Sequence, residues 1–151
     1  MSLEQQVADG IKKAMLAREE ATLRTLRDIK SAILLAKTSE GFTGEISPAD
    51  EMKMLQKMVK QRKDSLEIYE KQGRADLAAR EKEEIAVIEG FLPKQMTEGE
   101  IREAVKAAIA ETGASSMADM GRVMGVINKE LAGKADGKTI ATLVKEALNS
   151  I

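Results

Sequence analysis

The chain has 151 residues, of which 43% are hydrophobic and 2% aromatic, and its formal net charge is −1. It contains no Cys and no His, which excludes disulfides, zinc hydrolase sites and any catalytic triad that needs a histidine. Low aromatic content beside abundant Ala, Glu, Lys, Leu and Arg predicts an all-α protein.

The sequence also predicts where the protein resides. No run of 18 apolar residues is present, and the first ten residues carry Glu4 and Asp9 without an apolar core. We therefore expect no membrane span and no secretory signal peptide, and we expect a cytoplasmic protein. Because the net charge is near zero, any attraction to a polyanion has to come from local clusters of basic residues.

Two helices are predicted before the first break in periodicity. Ser2 and Gln5 form a capping box for a helix over about residues 3–17, and a second helical stripe continues to about residue 37. The segment SEGFTGEI then interrupts the pattern with two glycines. The apolar positions of the two helices are Leu3, Val7, Ile11, Met15, Leu23, Leu26, Ile29 and Ile33.

A long third helix begins at Ser47 and Pro48 and ends at Gly73, and a fourth covers about residues 74–90. Apolar residues in the third helix alternate in steps of three and four, which is typical of a packing seam. They are Met52, Leu55, Val59, Leu66 and Tyr69. Arg62 lies on this seam, where a charge has to be paired or reach solvent. We expect a structural ion pair with one glutamate of the fourth helix: Glu81, Glu83, Glu84 or Glu89.

The third helix also carries a basic stretch. Five basic residues and no acidic residue lie between Glu51 and Asp64, and Lys53, Lys57 and Lys60 share one helix face. Such a pattern is typical of a solvated surface.

Pro93, in the segment FLPKQMT, cannot continue a helix, and Thr97 with Glu100 forms a new capping box. This joint predicts two helical domains: an N-terminal bundle of long helices over residues 1–93 and a three-helix tail domain over 94–151. The tail helices are expected over about 98–112, from Ser116–Asp119 to Gly133, and over about 138–150. No strand, internal repeat or low-complexity segment is expected.

The segment GKADGKT, residues 133–139, looks like a nucleotide-binding loop. A P-loop has four residues between its first glycine and the Gly-Lys pair, whereas here there are three, and VINKELA before it reads as a helix end. We interpret Gly133 as the glycine that closes the sixth helix, and Asp136 or a neighbour as the cap of the seventh.

The sixth helix shows an unusual polar face. A helical wheel predicts a core stripe of Met117, Met120, Met124, Ile127 and Leu131. The opposite face carries Ala118, Arg122, Gly125, Val126 and Lys129. Glycine inside a helix costs roughly 1 kcal/mol relative to alanine, and this helix contains two, Gly121 and Gly125.

Those glycines are understandable if another backbone approaches the face. The approaching group is either a neighbouring helix or a sugar-phosphate chain flanked by Arg122 and Lys129. Lys134 and Lys138 follow in the turn, and the N-terminus of the last helix offers free N–H groups that suit a phosphate. The alternative is helix packing with solvated lysines.

Catalytic residues are not identifiable in the sequence. Carboxylates are abundant, but they sit on helices with lysines four residues away, which is typical of surface pairs. We predict no catalytic residue, no metal site and no cofactor.

The whole chain resembles the YqeY-like proteins, which share the GatB/YqeY domain. The matching segments are Leu23-Arg24, residues 57–96, DMGRVMG at 119–125 and GKADGKTIATLVKEAL at 133–148. The most specific positions are Arg62, Gly73-Arg74, Glu81, Glu84 and Leu92-Pro93.

This resemblance implies two all-α domains related to the C-terminal region of the GatB subunit of the tRNA-dependent amidotransferase, a glutamine-using enzyme. In that subunit the tail domain contacts tRNA, and its segment GKANP corresponds to GKADG here. The resemblance implies RNA-facing roles for Arg122, Gly125, Lys134 and Lys138; Lys129 is added from the helical wheel. Gly137 replaces the proline of the family segment, which predicts a looser loop.

Three candidate functions follow. The first is a non-catalytic module that binds tRNA or another structured RNA, linked to glutamine-dependent tRNA amidation. It would read RNA shape rather than DNA sequence, because aromatic residues for base stacking are scarce. The second is a protein–protein adaptor that docks a partner on the third-helix seam or on the Gly121–Gly125 face. A third is an accessory subunit of a carbon–nitrogen ligase with glutamine as amido-nitrogen donor.

Overall fold

A computed structural model describes residues 2–39, 41–42 and 44–151 as an all-α protein, as predicted. Over these residues it has seven α-helices, a single-turn 3-10 helix at Met117–Asp119 and no strand. The helices are α1 (Leu3–Ala17), α2 (Glu20–Lys37), α3 (Pro48–Lys71), α4 (Ala75–Glu89), α5 (Glu98–Thr112), α6 (Met120–Glu130) and α7 (Gly137–Asn149). Glu40 and Thr43 of the predicted SEGFTGEI break lie outside the described residues.

Contacts along the chain group into two compact units, Met1–Leu92 and Pro93–Ile151. This division falls one residue before the predicted joint, and a hydrogen-bonded glutamine explains the difference. The Gln95 side-chain amide donates to the Pro93 carbonyl and to the Gly133 carbonyl, each at 2.8 Å. Pro93 is thereby tied to the residues that follow it. That each unit is an independent domain stays a prediction.

The first unit is built around α4, which packs against both α2 and α3, while α1 packs on α2. Its buried core is contributed by all four helices: Leu3, Val7, Ala14, Leu26, Ile29, Ile33, Leu55, Met58, Val59, Ile85 and Ile88. The predicted α3 seam therefore packs within its own chain at Leu55 and Val59. Gly73, with φ +70°, follows the end of α3 in the left-handed region that favours glycine.

One of the apolar positions that define the predicted stripe of α1 lies outside the core. Met15 is 56% exposed, and Ala14 is buried in its place. A strict four-residue repeat rotates by about 40° per step on a 3.6-residue helix, so after three steps it leaves the buried face. The observed stripe of Leu3, Val7 and Ala14 follows the helical period and stays on that face.

The second unit is a three-helix bundle in which α5, α6 and α7 pack against each other. Its core consists of small and branched aliphatic residues: Ile101, Val105, Ala108, Val123, Ile127, Leu131, Ala135, Ile140, Leu143, Val144 and Leu148. Thr97 and Glu100 form the predicted capping box at the start of α5, and Gly113 ends that helix at φ +69°.

The predicted core stripe of the sixth helix requires correction. Met117 is 36% exposed, and Val123, absent from the predicted stripe, is fully buried. Met117 belongs to the 3-10 turn and so does not share the register of α6. Val123 lies one turn before Ile127 on the buried face of α6 itself, so the predicted stripe should have included it. α6 ends at Glu130 rather than at Gly133. Ile151 lies beyond the end of α7 and is 65% exposed.

Candidate nucleic-acid interface

The polar face of α6 forms one wall of an open groove of about 570 Å³. Its lining residues come from α6 and the end of α5: Thr112, Gly121, Arg122, Gly125, Val126, Lys129 and Glu130. We call these α6 residues the glycine face. The structure thus brings Arg122, Gly125 and Lys129, three residues predicted from sequence, to one exposed surface. Val126 differs from the prediction in being half-buried.

No packing within the described chain requires either glycine of this face. A Cβ atom built on Gly121 or on Gly125 meets no neighbouring heavy atom within 4 Å. Neither residue has a positive φ, so the backbone would accept alanine without strain. A neighbouring helix of the described chain therefore does not explain the glycines, and the face is open to an external group.

Arg122 is held in place by a short polar network at the start of α6. Its Nη2 donates to Asp119 Oδ1 at 2.6 Å, and Asp119 Oδ2 accepts from the Ser115 N–H at 2.9 Å. The pKa of Asp119 is held below its ordinary value of 3.8, mainly by the hydrogen bond from the Ser115 N–H and next by the hydrogen bond from the Arg122 guanidinium. The Arg122 side chain is still 61% exposed, so its remaining N–H groups can reach a ligand.

The other two predicted cations lie on either side of the start of α7: Lys134 is in the preceding turn, and Lys138 is the second residue of the helix. We call residues 134–138 the Lys134–Lys138 turn. Gly133 is buried with φ +77°, and the Lys134 carbonyl accepts from the Met96 N–H at 2.9 Å. The side chains of Lys134 and Lys138 are exposed, and neither makes an ion pair with any described residue. The backbone of this turn is thus fixed while its two ammonium groups stay free.

Asp136 stands at the predicted cap position of α7, but its side chain makes no capping hydrogen bond to the helix backbone. It accepts instead from the Thr139 hydroxyl at 3.3 Å. The first-turn N–H groups of α7 therefore have no side-chain acceptor from this residue, which leaves them open to water or to an anion. A helix, not a strand, precedes the turn, so the context of a P-loop is absent here.

A second polar cluster lies inside the first unit, around Glu84. Arg62 Nη2 donates to Asp28 Oδ2 at 3.0 Å, and Arg62 Nε lies 3.7 Å from Glu84 Oε2. Arg24 Nε donates to the other Glu84 oxygen at 3.2 Å. Glu84, one of the four glutamates proposed for Arg62, is therefore shared by two arginines. Glu83 lies 3.7 Å from Arg24 at the surface.

Sequence reasoning missed Arg24 and Asp28 as members of this cluster. The two residues are four positions apart on α2 and so share a helix face, which was the available signal. Glu81, next to the cluster, has its pKa raised by burial and by the Glu84 carboxylate. The cluster joins α2, α3 and α4 and has a structural role in the first unit.

Two further observations concern residues 2–39, 41–42 and 44–151, which the structure describes. These residues contain no group of three or more acidic side chains placed to hold a metal ion. Among the described helices, none is long and apolar enough to cross a membrane.

Comparison with known proteins gives one family. A family model described as "Yqey-like protein" matches residues 4–148. A protein of Pyrenophora tritici-repentis is 29% identical over 146 residues, which cover 93% of this chain and 77% of the relative. A protein of Clavispora lusitaniae is 35% identical over 126 residues, covering 81% and 72%.

Both relatives, and a third from Lachancea thermotolerans, carry the name "Altered inheritance of mitochondria protein 41, mitochondrial". The prediction of a cytoplasmic location is therefore wrong by this comparison. It rested on the absence of a secretory signal and of a membrane span.

Proposed function

Because this chain belongs to the YqeY-like family, we propose that it is a non-catalytic module that binds tRNA or another structured RNA. The glycine face of α6 and the Lys134–Lys138 turn form the contact surface. By binding tRNA, the module would support glutamine-dependent tRNA amidation. That reaction belongs to the amidotransferase whose related subunit contacts tRNA through its tail domain. The chain itself supplies binding and no chemistry.

The observation that carries this proposal is the pair of unexplained glycines. Two helical glycines reduce the stability of α6 by roughly 1 kcal/mol each relative to alanine, yet they contact nothing within 4 Å at the missing Cβ. A sugar-phosphate backbone that lies close to α6 would use this space. Arg122 and Lys129, two helical turns apart on the same side, would then meet phosphates about 10 Å apart along the helix.

The chemistry of the second unit favours recognition of shape. It has eight basic and eight acidic residues, so its net charge is zero and any attraction to RNA has to come from local clusters of cations. The three aromatic residues of the chain, Phe42, Tyr69 and Phe91, all belong to the first unit, so the second unit has no platform for stacking bases. Phosphate contacts should dominate, and affinity should fall steeply with salt.

A tRNA titration at about 50 mM and 200 mM salt tests the proposal. Wild type should bind at low salt, and a Lys134→Glu/Lys138→Glu variant should lose most of that affinity. Lys145→Glu serves as the control, compared per reversed charge, because Lys145 is an exposed lysine of α7 outside the turn and makes no ion pair with a described residue. No binding by wild type at low salt, or equal losses for the turn variant and the control, would overturn the proposal.

Of the two docking surfaces in the adaptor hypothesis, the α3 seam is already packed against α4. Its residues Leu55, Met58 and Val59 are buried. The glycine face remains the alternative docking site for a partner helix. Capture of a protein partner that survives nuclease treatment, together with absent tRNA binding, would favour the adaptor over the RNA module.

A further inference from the structure

We propose that the first unit contributes its own phosphate-binding surface, formed by Lys53, Lys57 and Lys60 on α3. We call these three residues the lysine ladder. The inference rests on the proposed function and adds a second RNA contact to it, on a different unit of the chain.

The ladder faces away from the packed side of α3. Leu55, Met58 and Val59 point into the core, whereas the three lysines are exposed on the opposite face of the same turns. On a helix with 100° per residue, each ladder position lies about 140–160° from Leu55. Successive ladder residues rise by about 6 Å and 4.5 Å, so the ammonium groups form a row along the helix axis.

Acidic residues of α3 flank the ladder only at its two ends, where Asp50 and Glu51 precede Lys53 and Asp64 follows Lys60. None of the three lysines makes an ion pair with any described residue. The other two basic residues of this stretch do, since Lys63 lies 4.0 Å from Glu89 and Arg62 contacts Asp28. The stretch from residue 52 to 63 has no acidic residue, which makes it the densest run of positive charge in a chain of net charge −1.

The chemistry of the ladder favours a phosphate backbone over a lipid surface. Helices that lie on membranes combine basic residues with an exposed apolar face, but the apolar face of α3 is covered by α4. The exposed large hydrophobic residue of α3, Ile68, lies two turns beyond the ladder. A row of flexible ammonium groups without an apolar anchor fits the regular charges of a nucleic-acid strand.

The slope of log K against log salt for tRNA binding tests the proposal, with every variant made in the full chain. Substitution Lys53→Gln/Lys57→Gln/Lys60→Gln keeps helix propensity while it removes three charges. It should make the salt slope shallower by about 2–3, the contribution of three phosphate contacts at roughly 0.7 each on a single strand or 0.9 each on a duplex. Lys12→Gln/Lys13→Gln/Lys30→Gln is the matched control, because these exposed lysines of the same unit have no ion pair among the described residues.

The outcomes separate the two proposals. A ladder variant with the wild-type slope, beside a turn variant that has lost affinity, overturns the ladder and leaves the proposed function standing. A shallower slope for the ladder variant, beside an unaffected turn variant, supports the ladder and overturns the contact on the second unit. An equal change in the ladder and control variants, or ladder-dependent binding to anionic vesicles without any tRNA binding, overturns the ladder as an RNA surface.

Discussion

Gly121 and Gly125 sit at helical positions where alanine would fit. Since a Cβ there meets nothing within 4 Å, Gly125→Ala should raise the free energy of unfolding by roughly 0.5–1 kcal/mol through better helix propensity. The same substitution should weaken tRNA binding if RNA approaches α6 closely. Denaturant unfolding and a tRNA titration of the same preparation measure the two effects.

Gly113 supplies the control for this prediction. A Cβ on Gly113 also meets nothing within 4 Å, but its φ of +69° disfavours any side chain. Gly113→Ala should therefore destabilise the protein by roughly 1–2 kcal/mol. Destabilisation by Gly125→Ala as large as that by Gly113→Ala would contradict the view that glycine at position 125 serves a partner rather than the fold.

Glu84 is the residue on which the polar cluster of the first unit depends. Glu84→Ala leaves the Arg24 and Arg62 guanidinium groups without their shared carboxylate in a largely buried site, and removal of one partner of such a cluster costs roughly 3–5 kcal/mol. Glu83→Ala, which removes an exposed partner of Arg24 at 3.7 Å, should cost less than about 1 kcal/mol. Chemical denaturation measures both, and equal losses would show that burial of Glu84 is unimportant.

At the scale of elements, local signals placed most helix ends. The capping boxes of Ser2 and Thr97 and the Ser47-Pro48 start lie where α1, α5 and α3 begin, because each satisfies backbone groups that the helix itself cannot. The sixth helix escaped this reasoning. Met117 lies in a 3-10 turn, which a helical wheel drawn at constant rotation does not represent, so its place on the core stripe was wrong. Val123, four residues before Ile127, was predictable from that wheel and was omitted.

The free energy of unfolding should depend on pH through Asp119, which precedes α6. Its pKa is lowered in the folded chain by the Ser115 N–H and by Arg122, so the unfolded chain binds this proton more readily. The stabilisation is fully present above the ordinary value of 3.8 and is lost as the pH falls through the lower folded pKa. Asp119→Asn should be less stable than wild type at pH 7, and the difference should shrink below pH 3.8.

Unfolding midpoints measured across the acid range check this expectation. Glu111→Gln is the control, since Glu111 is exposed and makes no ion pair with a described residue. A constant difference between wild type and Asp119→Asn at all pH values would show that Asp119 acts through its shape and not through its charge.

At the scale of the whole molecule, the all-α content was predictable from the sequence, whereas the membership of the polar cluster was not. Spacing along one helix identified Arg62 as a charge in need of a partner, but Asp28 and Arg24 come from α2, more than thirty residues earlier. Which helices meet depends on tertiary packing that local periodicity does not encode. By contrast, Arg122, Gly125 and Lys129 could be placed on one surface from the sequence, because the periodicity of a single helix determines which of its residues share a face.

The second unit should fold without the first. The second unit encloses its own core of aliphatic residues from α5, α6 and α7, and Gln95 ties Pro93 to Gly133. A fragment of residues 93–151 should therefore unfold cooperatively by circular dichroism. Its m-value should be smaller than that of the full chain, because less surface is exposed on unfolding.

A fragment that starts at Ile101 is the comparison, since it lacks the Thr97–Glu100 capping box and the Met96–Lys134 bond. Loss of cooperative unfolding in the 93–151 fragment would mean that the predicted tail domain depends on the first 92 residues.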